Sequence, residues 1–181
     1  RDEKVYHQRY EQGKTASKLT VIGKSKKSGT RVTFKADKEI FGKKIDFSYE
    51  LLANRLRELA FLNRGLKIEF KDERTEKGET FRFTGGIEAF VEHLNQNKNP
   101  PHKKVVYFTK EKDRLKVEIA MQYNDGYAEN ILSFANNINT IEGGTHLSGF
   151  KSALTRVLNQ YIKEKKLLKE SDLQISGDDV R

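Results

Sequence analysis

Few residues of this chain could perform covalent or metal chemistry, and those few are widely spaced. The sequence contains no cysteine, which excludes a disulfide scaffold, a thiolate metal site and a cysteine nucleophile. Its 4 histidines never approach one another at ligand spacing, so a zinc site is not expected. The P-loop, dinucleotide-binding, nucleophile-elbow and zinc-protease motifs are also missing. Generic motifs therefore assign no reaction.

Two short strings could still bind an ion. The glycines of Gly143-Gly144-Thr145-His146 precede a predicted helix, whose free N–H groups could hold an anion, although a tight turn into the helix is the commoner role. We interpret His146 as a structural hydrogen-bonding residue, because no carboxylate or nucleophile lies at a suitable spacing. Asp178-Asp179 resembles a metal-binding pair, but a helix N-terminal turn favoured by the macrodipole explains it better.

The charge of the chain points to an acidic partner. It has 35 Lys and Arg against 26 Asp and Glu, a formal net charge of +9, which favours contact with nucleic acid. Lys24, Lys26 and Lys27 fit a solvated hairpin tip. Lys151 follows Phe150 on an otherwise apolar helix turn, so its ammonium would be held by a rigid element. One hypothesis is therefore a non-enzymatic nucleic-acid-binding module.

The first half of the sequence predicts a sheet with one long helix. Extended segments are expected near residues 5–10, 19–22 and 31–34. Asp46 can cap a helix that ends at Arg64-Gly65, and residues 66–70 and 81–83 form strands around a loop. The residues expected on the inner face of this helix are Leu51, Leu52, Leu56, Leu59 and Leu62.

The second half predicts a separate α+β unit, with the boundary near Gly85. Gly85-Gly86 opens a short helix, and residues 95–104, which contain both prolines, form a loop. Residues 115–123 alternate between apolar and polar, and Asp125-Gly126 is expected to turn this strand into a returning strand over 127–134. Thr145 then begins a long amphipathic helix.

The length and hydropathy of the chain bound its class. Its 181 residues allow one large domain or two small ones. No apolar run approaches the roughly 20 residues that a membrane span requires, and no signal peptide is recognised. We therefore expect a soluble, cytoplasmic protein.

Several strings, in a consistent order and spacing, resemble the ATPase subunit of bacterial type IIA topoisomerases, the family of gyrase B. The similarity runs along the whole chain. The strings are Ser28-Gly29-Thr30, Leu56 to Asn63, Gly85-Gly86-Ile87, Tyr123 to Tyr127, Asn136-Asn137-Ile138 and, above all, Glu142 to Phe150.

The resemblance implies an α+β fold in two parts. Residues 1–84 would be the C-terminal portion of a nucleotide-binding sandwich of the gyrase, chaperone and histidine-kinase type. Residues 85–181 would be a transducer domain, incomplete at its C-terminal end, with the left-handed βαβ crossover known in this family, an exception to the usual handedness.

The resemblance also implies a function for the intact protein. ATP with Mg²⁺ closes two copies as a gate, and hydrolysis is coupled to DNA strand passage and negative supercoiling. The implied partners are double-stranded DNA, the DNA-cleaving protein gyrase A in a heterotetramer and a second copy in a homodimer through the ATPase region, with no membrane. The corresponding protein of topoisomerase IV is an open alternative.

Some site residues of the family match positions of this chain. Thr30 matches the threonine whose hydroxyl joins the water and carboxylate network around the adenine amino group, a role that suits a group able to donate and accept. Arg1 matches the arginine at the rim of the adenine pocket where coumarin-type inhibitors bind. Lys151 matches the basic residue that lines the DNA cavity of the closed dimer, and Arg156 and Lys163 are expected neighbours.

Other site residues of the family have no counterpart here. The magnesium-binding asparagine, the general-base glutamate and the glycine-rich lid precede the matched segment, and the lysine that reaches the γ-phosphate follows it. The resemblance therefore implies a fragment with no catalytic residue and no bound cofactor, which does not hydrolyse ATP by itself.

Overall fold

The computed structural model of the chain describes residues 2–42, 44–126, 128–167 and 175–180. The chain forms two compact units, Arg1–Ser48 and Tyr49–Arg181. Among the described residues, no helix combines the length and apolar character needed to cross a membrane.

The first unit contains two small antiparallel ladders and a short helix. Its elements are β1 (Lys4–His7), β2 (Tyr10–Glu11), β3 (Lys14–Thr15), β4 (Thr20–Lys24) and α1 (Lys38–Phe41). Strand β1 pairs with β4, and β2 pairs with β3 across Gln12-Gly13, whose φ angles of 47° and 76° suit a tight hairpin turn. The extended segment expected over 31–34 is outside any strand, because it pairs with no other described segment.

The second unit contains the remaining helices and three hairpins. Its elements are α2 (Tyr49–Leu62), β5 (Lys67–Asp72), β6 (Lys77–Arg82), α3 (Ile87–Leu94), β7 (Val106–Lys112), β8 (Leu115–Met121), β9 (Phe134–Ala135), β10 (Ile138–Asn139) and α4 (Thr145–Lys165). The ladders β5–β6, β7–β8 and β9–β10 are all antiparallel. Among the described strands no pair is parallel, so the left-handed crossover that the resemblance implies stays an expectation.

Helix α2 packs on the β5–β6 hairpin through small residues. Ala53 and Ala60 are fully buried and lie two turns apart on one face, where they meet Phe81. The prediction that Leu51 faces inward is wrong, since its side chain is 73% exposed. The two alanines let the backbone of α2 approach the hairpin closely, and this turns Leu51 to the opposite side of the helix. Leu56 does pack against the core.

A stack of aromatic rings joins α2 to α3. Phe61 is 2% exposed, and its ring lies 3.6 Å from the centroid of Phe83 and 4.9 Å from that of Phe90, with interplanar angles of 12° and 11°. Helix α2 ends where predicted, because Gly65 has a φ of 79° and donates its N–H to the carbonyl of Phe83. Gly86 precedes α3, so the predicted short helix is confirmed.

The hairpin predicted at Asp125-Gly126 is wrong. Strand β8 pairs with the preceding strand β7, from Val106 opposite Met121 to Lys112 opposite Leu115. The turn is Asp113-Arg114, whose φ angles of 49° and 70° match the twist of the two strands. Asp125 instead binds Asn99, and residues 128–133 form no strand.

Candidate nucleic-acid interface

Helix α4 begins where the glycine pair predicts it. Gly144 is the N-cap, and a Cβ added there would lie 2.7 Å from the imidazole Cε1 of His146. Ser148 donates its N–H to the carbonyl of Gly144, which closes the first turn. The Nε2 atom of His146 lies 3.2 Å from Oγ1 of Thr140. His146 therefore holds a structural hydrogen bond, as we expect from the sequence.

The β9–β10 hairpin is tied to the start of α4 by the same threonine. Thr140 donates its N–H to the carbonyl of Ser133 over 2.8 Å, and the two hydroxyl oxygens lie 2.6 Å apart. Gly143 donates its N–H to the carbonyl of Thr140. These bonds fix the chain that enters α4 and thereby the direction in which the side chains of its first turns project.

Lys151 lies two turns into α4 and forms an ion pair. Its Nζ atom is 3.0 Å from Oε1 of Glu129, and the side chains of Lys151 and Glu129 are 26% and 39% exposed. Glu129 belongs to the irregular stretch between β8 and β9. The predicted cation thus comes from a helix, and its counter-ion comes from a loop.

A shallow open groove of about 400 Å³ runs beside Lys151. It is lined by Lys151, Ser152, Thr155, Arg156 and Gly177. Two cations and two hydroxyls along one groove form a set of groups suited to phosphate oxygens. Thr155 also donates its hydroxyl to the carbonyl of Lys151 over 3.2 Å.

The three basic residues expected to contact DNA do not share one stripe of α4. At about 100° per residue, Arg156 lies roughly 140° around the axis from Lys151, and Lys163 lies roughly 20° from Arg156. The groove includes Lys151 and Arg156 but not Lys163. Lys163 is exposed in the last turns of the helix.

The acidic pair near the end of the chain has a structural role. The Oδ2 atom of Asp179 accepts hydrogen bonds from the hydroxyl and the N–H of Ser176, both over 2.7 Å. These bonds from Ser176 lower the pKa of Asp179 below its ordinary value. No group of three His, Asp or Glu side chains that could hold a metal ion occurs within the described ranges. The side chain of Asn159 bonds both the N–H and the carbonyl of Ile175, which attaches this segment to α4.

The residues expected to contact nucleotide belong to the first unit. Thr30 is exposed and lies in the irregular stretch before α1. Arg1 lies outside the described residues. Lys24, Lys26 and Lys27 are exposed, in keeping with a solvated turn.

Sequence reasoning missed Glu129 and Asn159. Glu129 precedes Lys151 by 22 residues, and no periodicity rule connects a loop carboxylate to a helix lysine at that separation. Asn159 lies in the middle of α4 and bonds the backbone of Ile175. From sequence, an asparagine at such a position is interpreted as a surface residue. Both contacts join segments that are far apart in the chain, so only the folded structure reveals them.

The DNA gyrase B family model matches residues 86–181. The chain belongs to the DNA gyrase B family. The DNA gyrase B protein of Clostridium acetobutylicum is 53% identical over 178 residues, which are 98% of this chain and 28% of that protein. The DNA gyrase B protein of Bacillus mycoides is 48% identical over 182 residues, 100% of this chain and 45% of that protein. The chain therefore spans less than half the length of these curated relatives.

A solved structure of the gyrase B family supports the fold along the whole chain. The crystal structure of the 43K ATPase domain of Thermus thermophilus gyrase B in complex with an aminocoumarin matches with a TM-score of 0.80 and 39% identity. The match covers 98% of this chain and 49% of that chain. The mixed α+β class expected from the sequence is thereby confirmed.

Proposed function

We propose that this chain is the part of a gyrase B protein that links nucleotide sensing to the passage of DNA in an ATP-dependent type IIA topoisomerase. The observation that carries the proposal is the similarity of nearly the entire chain to the ATPase domain of a gyrase B. Negative supercoiling, as in gyrase, is preferred to the topoisomerase IV alternative, because the Clostridium and Bacillus relatives carry the gyrase name.

Two functional parts are proposed along the chain. Residues 1–84 belong to the nucleotide-binding domain, and residues 85–181 form the transducer. The family model begins at residue 86, which supports this division. The compact unit that begins at Tyr49 nevertheless includes α2, β5 and β6 together with α3. The proposed functional boundary thus lies inside one packed unit.

DNA is proposed to contact the groove on α4. Lys151 and Arg156 offer cations to phosphate oxygens, and Lys163 contributes a further positive charge along the helix. Contacts of this kind carry affinity that depends on salt and not on base sequence. The hydroxyls of Ser152 and Thr155 lie in the same groove.

ATP and Mg²⁺ are proposed to bind the intact protein. Thr30 and Arg1 would contribute to the adenine pocket only. The described residues contain no group of three or more acidic or histidine side chains that could hold a metal ion. We expect the chain alone to show no ATP turnover above a preparation that carries an unrelated protein purified in parallel.

The remaining partners follow from the family. We propose a homodimer through the ATPase region and a heterotetramer with the DNA-cleaving gyrase A protein, in the cytoplasm. The non-enzymatic nucleic-acid-binding module is not favoured, because the whole chain matches gyrase B relatives.

Duplex binding tests the proposal. The 181-residue chain is titrated with a fluorescent blunt-ended DNA duplex at several NaCl concentrations, and anisotropy gives the dissociation constant. We expect weak binding, with a Kd of about 1–100 µM at physiological salt. An independent binding module would bind more tightly and with a steep salt dependence.

Matched lysine variants locate the contact. Lys151→Gln should weaken binding roughly threefold or more at low salt and flatten the slope of log K against log [NaCl] by about 0.9. Lys110→Gln removes the same charge from exposed strand β7 and should change both quantities less. Equal effects of the two substitutions would contradict a DNA contact at Lys151.

A further inference from the structure

The ion pair between Lys151 and Glu129 places an anion at the position that a DNA phosphate is proposed to take. The carboxylate oxygen lies 3.0 Å from Nζ of Lys151, the ordinary distance for a charge-assisted hydrogen bond. A phosphate oxygen bound by the same ammonium needs a similar distance. Glu129 and a phosphate group, both negative, therefore compete for Lys151.

The two partners of this pair come from different kinds of backbone. Lys151 is on a helix whose start is fixed by Gly144 and by the bond between His146 and Thr140. Glu129 is on the irregular stretch between β8 and β9. The helix holds the ammonium beside the groove, so Lys151 can exchange one anionic partner for another without leaving the groove.

The exposure of the pair makes such an exchange feasible. Both side chains are partly open to solvent, at 26% and 39% exposure, and ion pairs of this type are weak because water and salt screen them. Next to Lys151 the groove continues to Thr155 and Arg156. A ligand with several phosphates can contact Lys151 and Arg156 together, whereas Glu129 supplies one carboxylate.

We propose that Glu129 is the internal counter-ion of the DNA site: it neutralises and positions Lys151 when DNA is absent, and a phosphate of duplex DNA displaces it. This inference rests on the proposed DNA contact of Lys151. Glu129 then weakens binding to any single phosphate. It is a positioning residue, because it acts through Lys151 and not by touching DNA.

The first test is a set of charge variants in the duplex titration. Glu129→Gln should tighten binding roughly threefold and steepen the salt slope by up to about 0.9, because Lys151 then enters the complex without a competing carboxylate. Glu118→Gln is the matched control. It raises the net charge equally and also releases a paired lysine, Lys116 (2.7 Å), but on strand β8 and outside the groove.

A double variant separates this inference from the proposed function. In the Lys151→Gln background, Glu129→Gln should lose most of its effect, since the two substitutions act on one interaction. If Lys151→Gln weakens binding but Glu129→Gln matches Glu118→Gln, the counter-ion role is wrong and the DNA contact stands. If Lys151→Gln does not weaken binding, the proposed DNA contact itself is wrong.

A measurement on the unsubstituted chain removes any dependence on the folding of variants. Carbon-13 NMR of the side-chain carboxyl of Glu129 reports its ion pair directly. Titration with the duplex should move this resonance while that of Glu118 stays in place. A Glu129 resonance that is unchanged when the duplex is bound would overturn the displacement.

Discussion

Arg74 surrounds the carboxylate of Asp72 at the end of β5. The guanidinium donates from Nη2 to Oδ2 over 2.7 Å and from Nε to Oδ1 over 2.9 Å, and the N–H of Arg74 donates to Oδ1 over 2.9 Å. Asp72 is 9% exposed, the one charged residue classed as buried in the described part of the chain. The pair closes the turn between β5 and β6. Helix α2 packs on the hairpin that these two strands form.

The stability of this hairpin should depend on pH through Asp72. The side-chain hydrogen bonds from Arg74, followed by its N–H, lower the pKa of Asp72 from 3.8 to about 2. Because the folded state holds the carboxylate more strongly than the unfolded chain does, the stabilisation is complete above pH 3.8 and is lost as the pH falls through about 2. Carboxyl carbon-13 shifts recorded against pH measure this pKa.

Two substitutions check the origin of that dependence. Asp72→Asn keeps the shape of the side chain but removes its charge. The unfolding free energy of this variant should therefore change less between pH 3.8 and about pH 2 than that of the parent chain. Glu73→Gln removes a charge from the next residue and should leave the dependence largely intact. Identical acid profiles for the Asp72→Asn variant and the parent chain would show that the pair contributes nothing.

Three helix boundaries were predictable because glycine marks them, whereas the start of α2 was not, since it begins at Tyr49 and Asp46 is not at its N-cap position. Gly65, Gly86 and Gly144 take φ angles of 79°, 63° and 156°, which side chains with a Cβ rarely adopt. Strand pairing was harder to predict. Asp125-Gly126 is a strong turn signal, whereas Asp113-Arg114 contains no glycine, yet the chain turns at Asp113-Arg114. The competing hydrogen bond that the side-chain amide of Asn99 donates to Asp125 cannot be read from local sequence.

Gly86→Ala should destabilise the second unit. Gly86 has a φ of 63° and a ψ of −140°, a combination that costs other residues about 1–3 kcal/mol. An added Cβ would also lie 2.6 Å from Cγ of Arg64. Thermal unfolding should show a clear decrease in Tm.

Gly149→Ala is the matched control for that substitution. Gly149 lies within α4, and a Cβ there meets no atom within 4 Å. Alanine in a helix interior is more favourable than glycine by about 1 kcal/mol, so Tm should rise. A decrease in Tm for Gly149→Ala as large as for Gly86→Ala would contradict the steric and conformational argument.

Phe61→Ala should be among the most damaging single substitutions. The side chain is 2% exposed and contacts rings from the strand region after β6 and from α3. Removing a buried phenylalanine lowers the free energy of unfolding by about 3–5 kcal/mol. Urea unfolding of the variant and the parent chain would measure this loss.

Leu51→Ala on the same helix tests the corrected inner face of α2. Because Leu51 is 73% exposed, the loss should stay within about 0.5 kcal/mol. A loss of several kcal/mol in unfolding free energy would instead show that Leu51 is buried, as the sequence predicts.

Asn95→Ala should loosen the loop that follows α3. The amide of Asn95 donates to Oε1 of Gln122 over 2.9 Å and accepts from Nδ2 of Asn124 over 3.0 Å. Its removal leaves two half-buried polar groups without this partner, at a cost of about 1–3 kcal/mol in unfolding free energy. Asn97→Ala, at an exposed position of the same loop, should be nearly neutral in the same urea experiment.

The candidate interface was predictable only in part. The position of Lys151 on a helix follows from the apolar period of α4 and from the glycines before it. Its partner does not, because Glu129 reaches Lys151 through a loop whose course depends on the Ser133 and Thr140 bonds. Lys163 shares the angular position of Arg156 but lies about two turns farther along α4, beyond the residues that line the groove.

The aromatic stack also connects the two segments on either side of Gly85-Gly86. Phe61 and Phe83 precede Gly85-Gly86, whereas Phe90 follows the glycine pair. The ring of Phe61 stacks on the rings of both Phe83 and Phe90. Any rotation about these glycines must slide Phe90 off Phe61, giving up about 0.5–1.5 kcal/mol of ring contact in addition to the buried area. Phe61 therefore packs across the glycine pair and couples the position of α3 to that of α2.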